Sequence, residues 1–206
     1  MIRPGEALEN PVTGEVLIFH ETAAESGGEF VRVETIVRPD GFVAAAHVHP
    51  FQTERFSVFE GSVDFRVGRD LVRVDAGGEV VVSPGTAHQF WNTTNEEARF
   101  LLEVRPALKF ESLIETMFTL AAEGKTGKRG LPGPFRLAVI AREHFDTVRL
   151  PFPPVALQRA ALAVGAPLGQ ALGYPATAER QADRGTRPER TYDRGRPHDS
   201  PRRRAA

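Results

Sequence analysis

Between residues 15 and 104 the sequence is broken into short runs of β-branched and aromatic residues, and no helical period interrupts them. The first is EVLIFH at 15–20, the second FVRVETIVR at 30–38, and others fall at 43–48, 55–59, 62–67, 71–74, 79–82, 89–92 and 99–104. Turn signals close them, among them Glu60-Gly61, Gly68-Arg69-Asp70, Ala76-Gly77-Gly78 and Ser83-Pro84-Gly85. Many short strands at such spacing predict an antiparallel sandwich or barrel. Residues 1–14, rich in Pro, Gly and Asn, form an irregular lead-in. Along 30–38, alternation sets Val31, Val33, Thr35 and Val37 on one face and Phe30, Arg32, Glu34 and Ile36 on the other; Arg32 and Glu34 could line a pocket or face water, and the solvated reading is preferred. His20, with nothing beside it to complete a site, is an ordinary strand-end residue.

After Pro106 the period changes. Phe110, Leu113, Ile114, Met117, Leu120 and Ala121 recur every three or four residues, which predicts an amphipathic helix over 109–123 ended by Gly124. The Gly- and Pro-rich loop GKTGKRGLPGP follows, then helices at 135–144 and 155–172, expected to cover the barrel or a subunit partner. The longest uncharged stretch, 160–178, contains Pro167 and several glycines and falls short of a span of about 20 apolar residues. From residue 176 onward no Leu, Ile, Val, Phe, Met or Trp remains, so a disordered tail is expected. The chain thus divides into 1–29 (lead-in and first strand), 30–106 (β-barrel), 107–175 (helical extension) and 176–206 (Arg/Pro-rich tail). Although the tail carries nine arginines against five acids, the net charge of all 206 residues is -1, which gives no electrostatic reason to expect nucleic acid or an anionic membrane as a partner. The first residues lack the basic start and apolar run of a secretory signal, so a cytoplasmic setting is expected.

With no cysteine in the chain, any transition-metal site must use nitrogen and oxygen ligands. Residues 41–61, GFVAAAHVHPFQTERFSVFEG, supply the start of one. Strand alternation points His47 and His49 the same way, and a turn from Pro50 returns Glu54 beside them on the next strand. A second stretch, GGEVVVSPGTAHQFWN at 77–92, runs from a strand through a Pro-Gly turn to His88. Facing strand pairs of an antiparallel barrel can bring His88 opposite the other three, and four protein ligands would leave two positions of an octahedral ion open.

These stretches resemble the two motifs of the cupin superfamily. Gly41, His47, His49, Glu54 and Gly61 match every position of the first, and Gly77, Gly85, His88 and Asn92 match the second, where Ser83 replaces the usual proline and Pro84 follows it. The resemblance covers roughly residues 30–105. It implies a mainly β fold, a small antiparallel jelly-roll barrel followed here by C-terminal helices, with one divalent ion per subunit (Fe, Mn, Ni or Zn) held by His47, His49, Glu54 and His88. The parity of Glu54 is shared by Phe56 and Val58, and that of His88 by Phe90 and Asn92, so these four are candidates to line a substrate pocket as well as to fill the core; Trp91 has the opposite parity and is expected against the helices or a partner subunit. The same barrel hosts many activities. The reading adopted is a metal-dependent enzyme, a dioxygenase or isomerase, acting on a small, partly apolar, oxygen-bearing molecule, with Glu54 as a candidate base. The alternative is a non-catalytic small-molecule binding or sensing module. A homodimer that covers a sheet edge is expected in either case.

Overall fold

The computed structural model describes residues 2–178, so the expected disordered tail lies, from residue 179, outside the described residues. Ten strands precede three helices: β1 (Ala7–Asn10), β2 (Glu15–Glu21), β3 (Val31–Val37), β4 (His47–Val48), β5 (Thr53–Glu60), β6 (Ser62–Val67), β7 (Asp70–Asp75), β8 (Glu79–Val82), β9 (Ala87–Trp91), β10 (Ala98–Arg105), α1 (Phe110–Ala122), α2 (Pro134–Glu143) and α3 (Val155–Ala171). They form a six-stranded sheet, β1-β2-β3-β10-β5-β8, and a four-stranded sheet, β4-β9-β6-β7. Every strand pairing in both is antiparallel.

Alternation decides what lies between the sheets. Leu17, Phe19, Val31, Val33, Val37, Phe56, Val58, Phe100 and Val104 point inward from the larger sheet, and Val63, Phe65 and Phe90 from the smaller. The rings of Phe56, Phe65, Phe90 and Phe100 pack on one another with centroids 5.1 to 6.3 Å apart, mostly edge to face. Each such ring contributes about 1.5–3 kcal/mol by leaving water, and edge-to-face contact adds about 0.5–1.5 kcal/mol per pair. The opposite face of the larger sheet is a lattice of ion pairs: Arg32 with Glu21 and Glu103, His20 with Glu34, and Arg99 with Glu34 and Glu60. Arg32 and Glu34 are therefore on the outer face, as their parity indicated. Trp91 faces outward from the smaller sheet, half-buried, with the Arg66 guanidinium carbon 6.0 Å from its ring centroid.

Two strands differ from expectation. The lead-in contains β1, whose residues pair with β2 from Ala7 opposite Ile18 to Asn10 opposite Glu15. Asn10 then makes the turn by accepting the amides of Val12 and Thr13. Conversely, the strand expected over 43–48 is reduced to the two residues of β4, because Phe42 bridges to Trp91 and Val43 donates to Phe90 before the three alanines leave the ladder.

The helices follow their sequence signals closely. α1 lies against β1 and sends Phe110 and Phe118 into the core. α2 and α3 pack on each other through small residues: a side chain at Gly169 would collide with the Phe135 carbonyl and Val139, and one at Gly165 would come within 3.1 Å of Ala138. No described helix is long and apolar enough to cross a membrane.

One core position breaks the apolar pattern. Glu15 shares the inward parity of Leu17 and Phe19, is 6% exposed and accepts a 2.7 Å hydrogen bond from Thr13 Oγ1. Burial raises its pKa to about 8, the hydrogen bond opposing only partly. An unfolded chain releases this proton near pH 4.5 while the folded one holds it to about 8, so this group's contribution falls as pH rises between those values and is level above. Glu15→Gln keeps the shape and removes the titration. Its stability relative to the parent should match at pH 4 and exceed it by up to a few kcal/mol at pH 8, measured as unfolding midpoints across pH.

Candidate metal centre

The two sheets contribute unequally to the cluster. β4 carries His47 directly opposite His88 of β9, and His49 follows β4 by one residue. Glu54 comes from the other side of the sandwich, on β5 between Val82 of β8 and Val104 of β10. One ligand atom from each of His47, His49, Glu54 and His88 lies within 4.8 Å of all the others. Ligands about 2.1 Å from a shared ion are at most about 4.2 Å apart, so the four are gathered at nearly the spacing that one ion requires. The ring centroids of His47 stand 4.3 Å from those of His88 and 4.9 Å from those of His49.

Each imidazole is oriented by an acceptor behind it. His47 Nδ1 donates to the Ala45 carbonyl at 2.8 Å and His88 Nδ1 to the Thr86 carbonyl at 3.1 Å. His49 Nδ1 faces two acceptors, Gln52 Oε1 at 2.8 Å and the Thr147 carbonyl at 2.7 Å. Gln52 can only accept here, because its Nε2 donates to the carbonyls of Pro106 and Ala107 at 2.8 and 3.0 Å. All three Nδ1 positions therefore carry the proton, and the three Nε2 lone pairs are left for the interior.

The turn behind His88 is intact despite Ser83. Pro84 and Gly85 occupy its centre, Gly85 takes the φ of +79° that a type II turn requires, and Thr86 N donates to Ser83 O at 3.2 Å. Gly85 N then donates 2.8 Å to the His49 carbonyl, which ties the two halves of the site together.

Charge within the cluster matches a cation. Burial, then His88 and His49, lower the pKa of His47 to about 3, which keeps it neutral. Burial alone would raise Glu54, but His49 and the other imidazoles outweigh it and hold the carboxyl at about 2. For His88, burial lowers the pKa, while the hydrogen bond to Glu54 and its charge prevail and raise it. Glu54 Oε2 and His88 Nε2 lie 2.6 Å apart, Glu54 Oε1 lies 3.4 Å from His49 Nε2, and neither Oε2 nor Nε2 has any other partner. Two buried acceptors at that separation are favourable only with a proton or a cation between them. Three imidazole nitrogens and one carboxylate are a donor set that fits a borderline divalent ion.

The remaining candidates lie below and beside the cluster. Phe56 and Phe90 form its floor, with the Phe56 ring centroid 6.2 Å from that of His88; Val58 is one layer deeper, opposite Phe100. Asn92 donates from Nδ2 to the carbonyls of Val37 and Glu96 and accepts at Oδ1 from the amide and hydroxyl of Thr94, so its amide is fully committed to holding a loop. Sequence reasoning missed Gln52 and Thr147. Gln52 is marked only by being a polar residue near a ligand, and Thr147, 98 residues from His49, by nothing local.

Residues 33–104 match the family model described as a cupin domain. A search of curated proteins finds no match. Similar solved structures include a predicted oxalate decarboxylase from Thermotoga maritima, 18% identical, covering 52% of this chain and 99% of that one, with a TM-score of 0.45. Another is KdgF from Halomonas sp., 11% identical, covering 52% and 91%, with a TM-score of 0.45. The polyketide cyclase RemF from Streptomyces resistomycificus is 21% identical, covers 51% and 70%, and has a TM-score of 0.41. Family match, antiparallel sheets and motif residues agree: the chain carries a cupin domain over residues 33–104, followed by three C-terminal helices.

Proposed function

We propose that this protein is a metal-dependent enzyme in which His47, His49, Glu54 and His88 hold one divalent ion, and that its substrate is a small, partly apolar molecule presenting an oxygen. The observation that carries this reading is the locking of all three imidazole Nδ1 protons onto acceptors, which leaves three bare Nε2 atoms around a buried carboxylate. A bound divalent ion supplies a Lewis-acidic centre that polarises an oxygen of the substrate. The protein's own groups shape that encounter. Phe56 and Phe90 close the floor, and His47, the only half-buried ligand, marks the side from which a molecule can approach. Glu54 serves first as a ligand: held near a pKa of 2, it is a weak proton acceptor until its surroundings change.

Dioxygenase and isomerase chemistry are the reactions we favour. A second reading, a non-catalytic binding or sensing module, draws support from the four phenylalanine rings that fill the interior beneath the cluster and bring no further polar group to it. We also propose a homodimer, since the edge strand β7 presents Leu71 and Val72 at 65% and 41% exposure, surface that a second copy would cover.

Purified protein should contain close to one divalent ion per chain by mass spectrometry of its metals. His88→Ala should lose nearly all of it while keeping the circular dichroism of a folded barrel; unchanged stoichiometry would place the ligands elsewhere. With Fe, Mn, Ni or Zn loaded in turn, oxygen uptake and product formation are then followed against a panel of phenolic and dicarbonyl compounds. Turnover with one metal supports the enzyme, whereas tight binding of a compound without turnover under any metal selects the binding module. Light scattering at micromolar concentration should give twice the chain mass, and a monomer would remove the dimer.

A further inference from the structure

The segment that follows α2 reaches back into the cupin domain at the ligands themselves. Val48, between His47 and His49, donates its amide to the Arg149 carbonyl at 2.8 Å and accepts the Arg149 amide at 2.9 Å, so Arg149 pairs with β4 as an added strand residue at the open edge of the smaller sheet. Two residues earlier, the Thr147 carbonyl accepts from His49 Nδ1 at 2.7 Å, the shorter of that nitrogen's two contacts.

The segment is itself anchored from behind. The amides of Thr147 and Val148 donate to the His144 carbonyl at 2.8 and 2.9 Å, and His144, fully buried, binds Ile140 O through Nδ1 and lies 3.3 Å from Ser112 Oγ of α1 through Nε2. On the other side Gln158 of α3 donates to the carbonyls of Leu150 and Pro153. Thr147 thus lies in a segment tied on one side to the end of α2 and to α1 through His144 and on the other to α3 through Gln158.

From these contacts we infer that residues 147–149 are a working part of the metal centre: Thr147 is the positioning residue for His49, and docking of this segment on β4 and binding of the ion stabilise each other. The inference rests on the metal reading above. It assigns the helical extension a role beyond covering the fold, and it makes the ligand set of residues 33–104 dependent on chain outside the cupin domain. The physical reason is that β4 is two residues long and lies at a sheet edge, so its single ladder with β9 ends before His49, whose backbone is held, among the described residues, by the Gly85 amide alone and whose ring is aimed by its side-chain partners. Loss of an acceptor behind a ligating imidazole lets the ring rotate, lowers its basicity and weakens metal binding by about 10–100-fold. Since linkage is reciprocal, the ion must tighten the segment by the same factor.

Co(II) is a suitable probe because its visible spectrum reports ligand geometry as well as occupancy. In the full chain, Arg149→Pro removes the amide that donates to Val48 O. It should weaken Co(II) binding by about 10–100-fold and alter the d–d bands. Arg149→Ala retains that amide and should recover most of the lost affinity, which separates the backbone bridge from the side chain. In the unmutated chain, Co(II) should slow hydrogen exchange in peptides spanning 147–149 by a comparable factor. If the unmutated chain takes up no Co(II), the metal reading and this inference fall together. If it binds Co(II) but a folded Arg149→Pro binds equally well with the same spectrum, the inference alone is overturned. Should Arg149→Pro fail to fold, exchange in the unmutated chain decides: slowing upholds the coupling, and unchanged exchange at 147–149 overturns it.

Discussion

The structure depends on one contact across its middle, the carboxylate of Glu54 reaching from the six-stranded sheet into three imidazoles carried by the other sheet. Burying a carboxylate costs several kcal/mol unless charge and hydrogen bonds offset it. Here the outer nitrogens of the rings are all engaged, so each ring turns its other nitrogen toward the interior, and a proton or a cation held between those nitrogens and the carboxylate supplies the offset. His47 and His88 each depend on one such acceptor for their tautomer, whereas His49 has two. The polar end of the barrel is accordingly an arrangement in which each part makes sense only in the presence of the others.

The apolar end supports it. Four phenylalanine rings lie beneath the imidazoles and are too tightly packed edge to face to shift without leaving a void. They set the depth of the site and exclude water from below, which strengthens every electrostatic interaction above them. Exposure of the ligands follows the same gradient: Glu54, His49 and His88 are 2–4% exposed, while only His47 is half-buried.

What was legible in the sequence follows from what is local. The clustering of His47, His49, Glu54 and His88 could be foreseen because their spacing is a property of two strand-turn-strand units, and α1 to α3 because a period of three or four is visible without knowing what the helices touch. β1 was hidden because its four residues, ALEN, include no β-branched or aromatic residue and carry no period, and its formation depends on β2 being there to pair with. Glu15 looked like the polar start of a strand, yet the parity that buries Leu17 also buries it. Asn92 shared the parity of His88, but a residue just past the end of β9 answers to the loop it closes. Gln52 and Thr147 were illegible for a stronger reason: what they contribute is an oxygen at a particular place, and in Thr147 that oxygen belongs to the backbone, which every residue type supplies.

That last point bears on how a small barrel acquires a precise site. Edge strands have one ladder instead of two, and β4 is an edge strand of two residues. Such a strand can present two ligands on one face, but rigidity sufficient to aim them must come from a second ladder. Arg149 provides it on the side that β9 leaves open, and Thr147 reaches past it to the ligand that β4 does not include. The α2–α3 pair packs closely through Gly165 and Gly169, and residues 147–149 belong to the segment that joins the two helices, so both ends of that segment are anchored in the pair. Helices without a catalytic side chain can in this way govern a metal centre through backbone geometry alone.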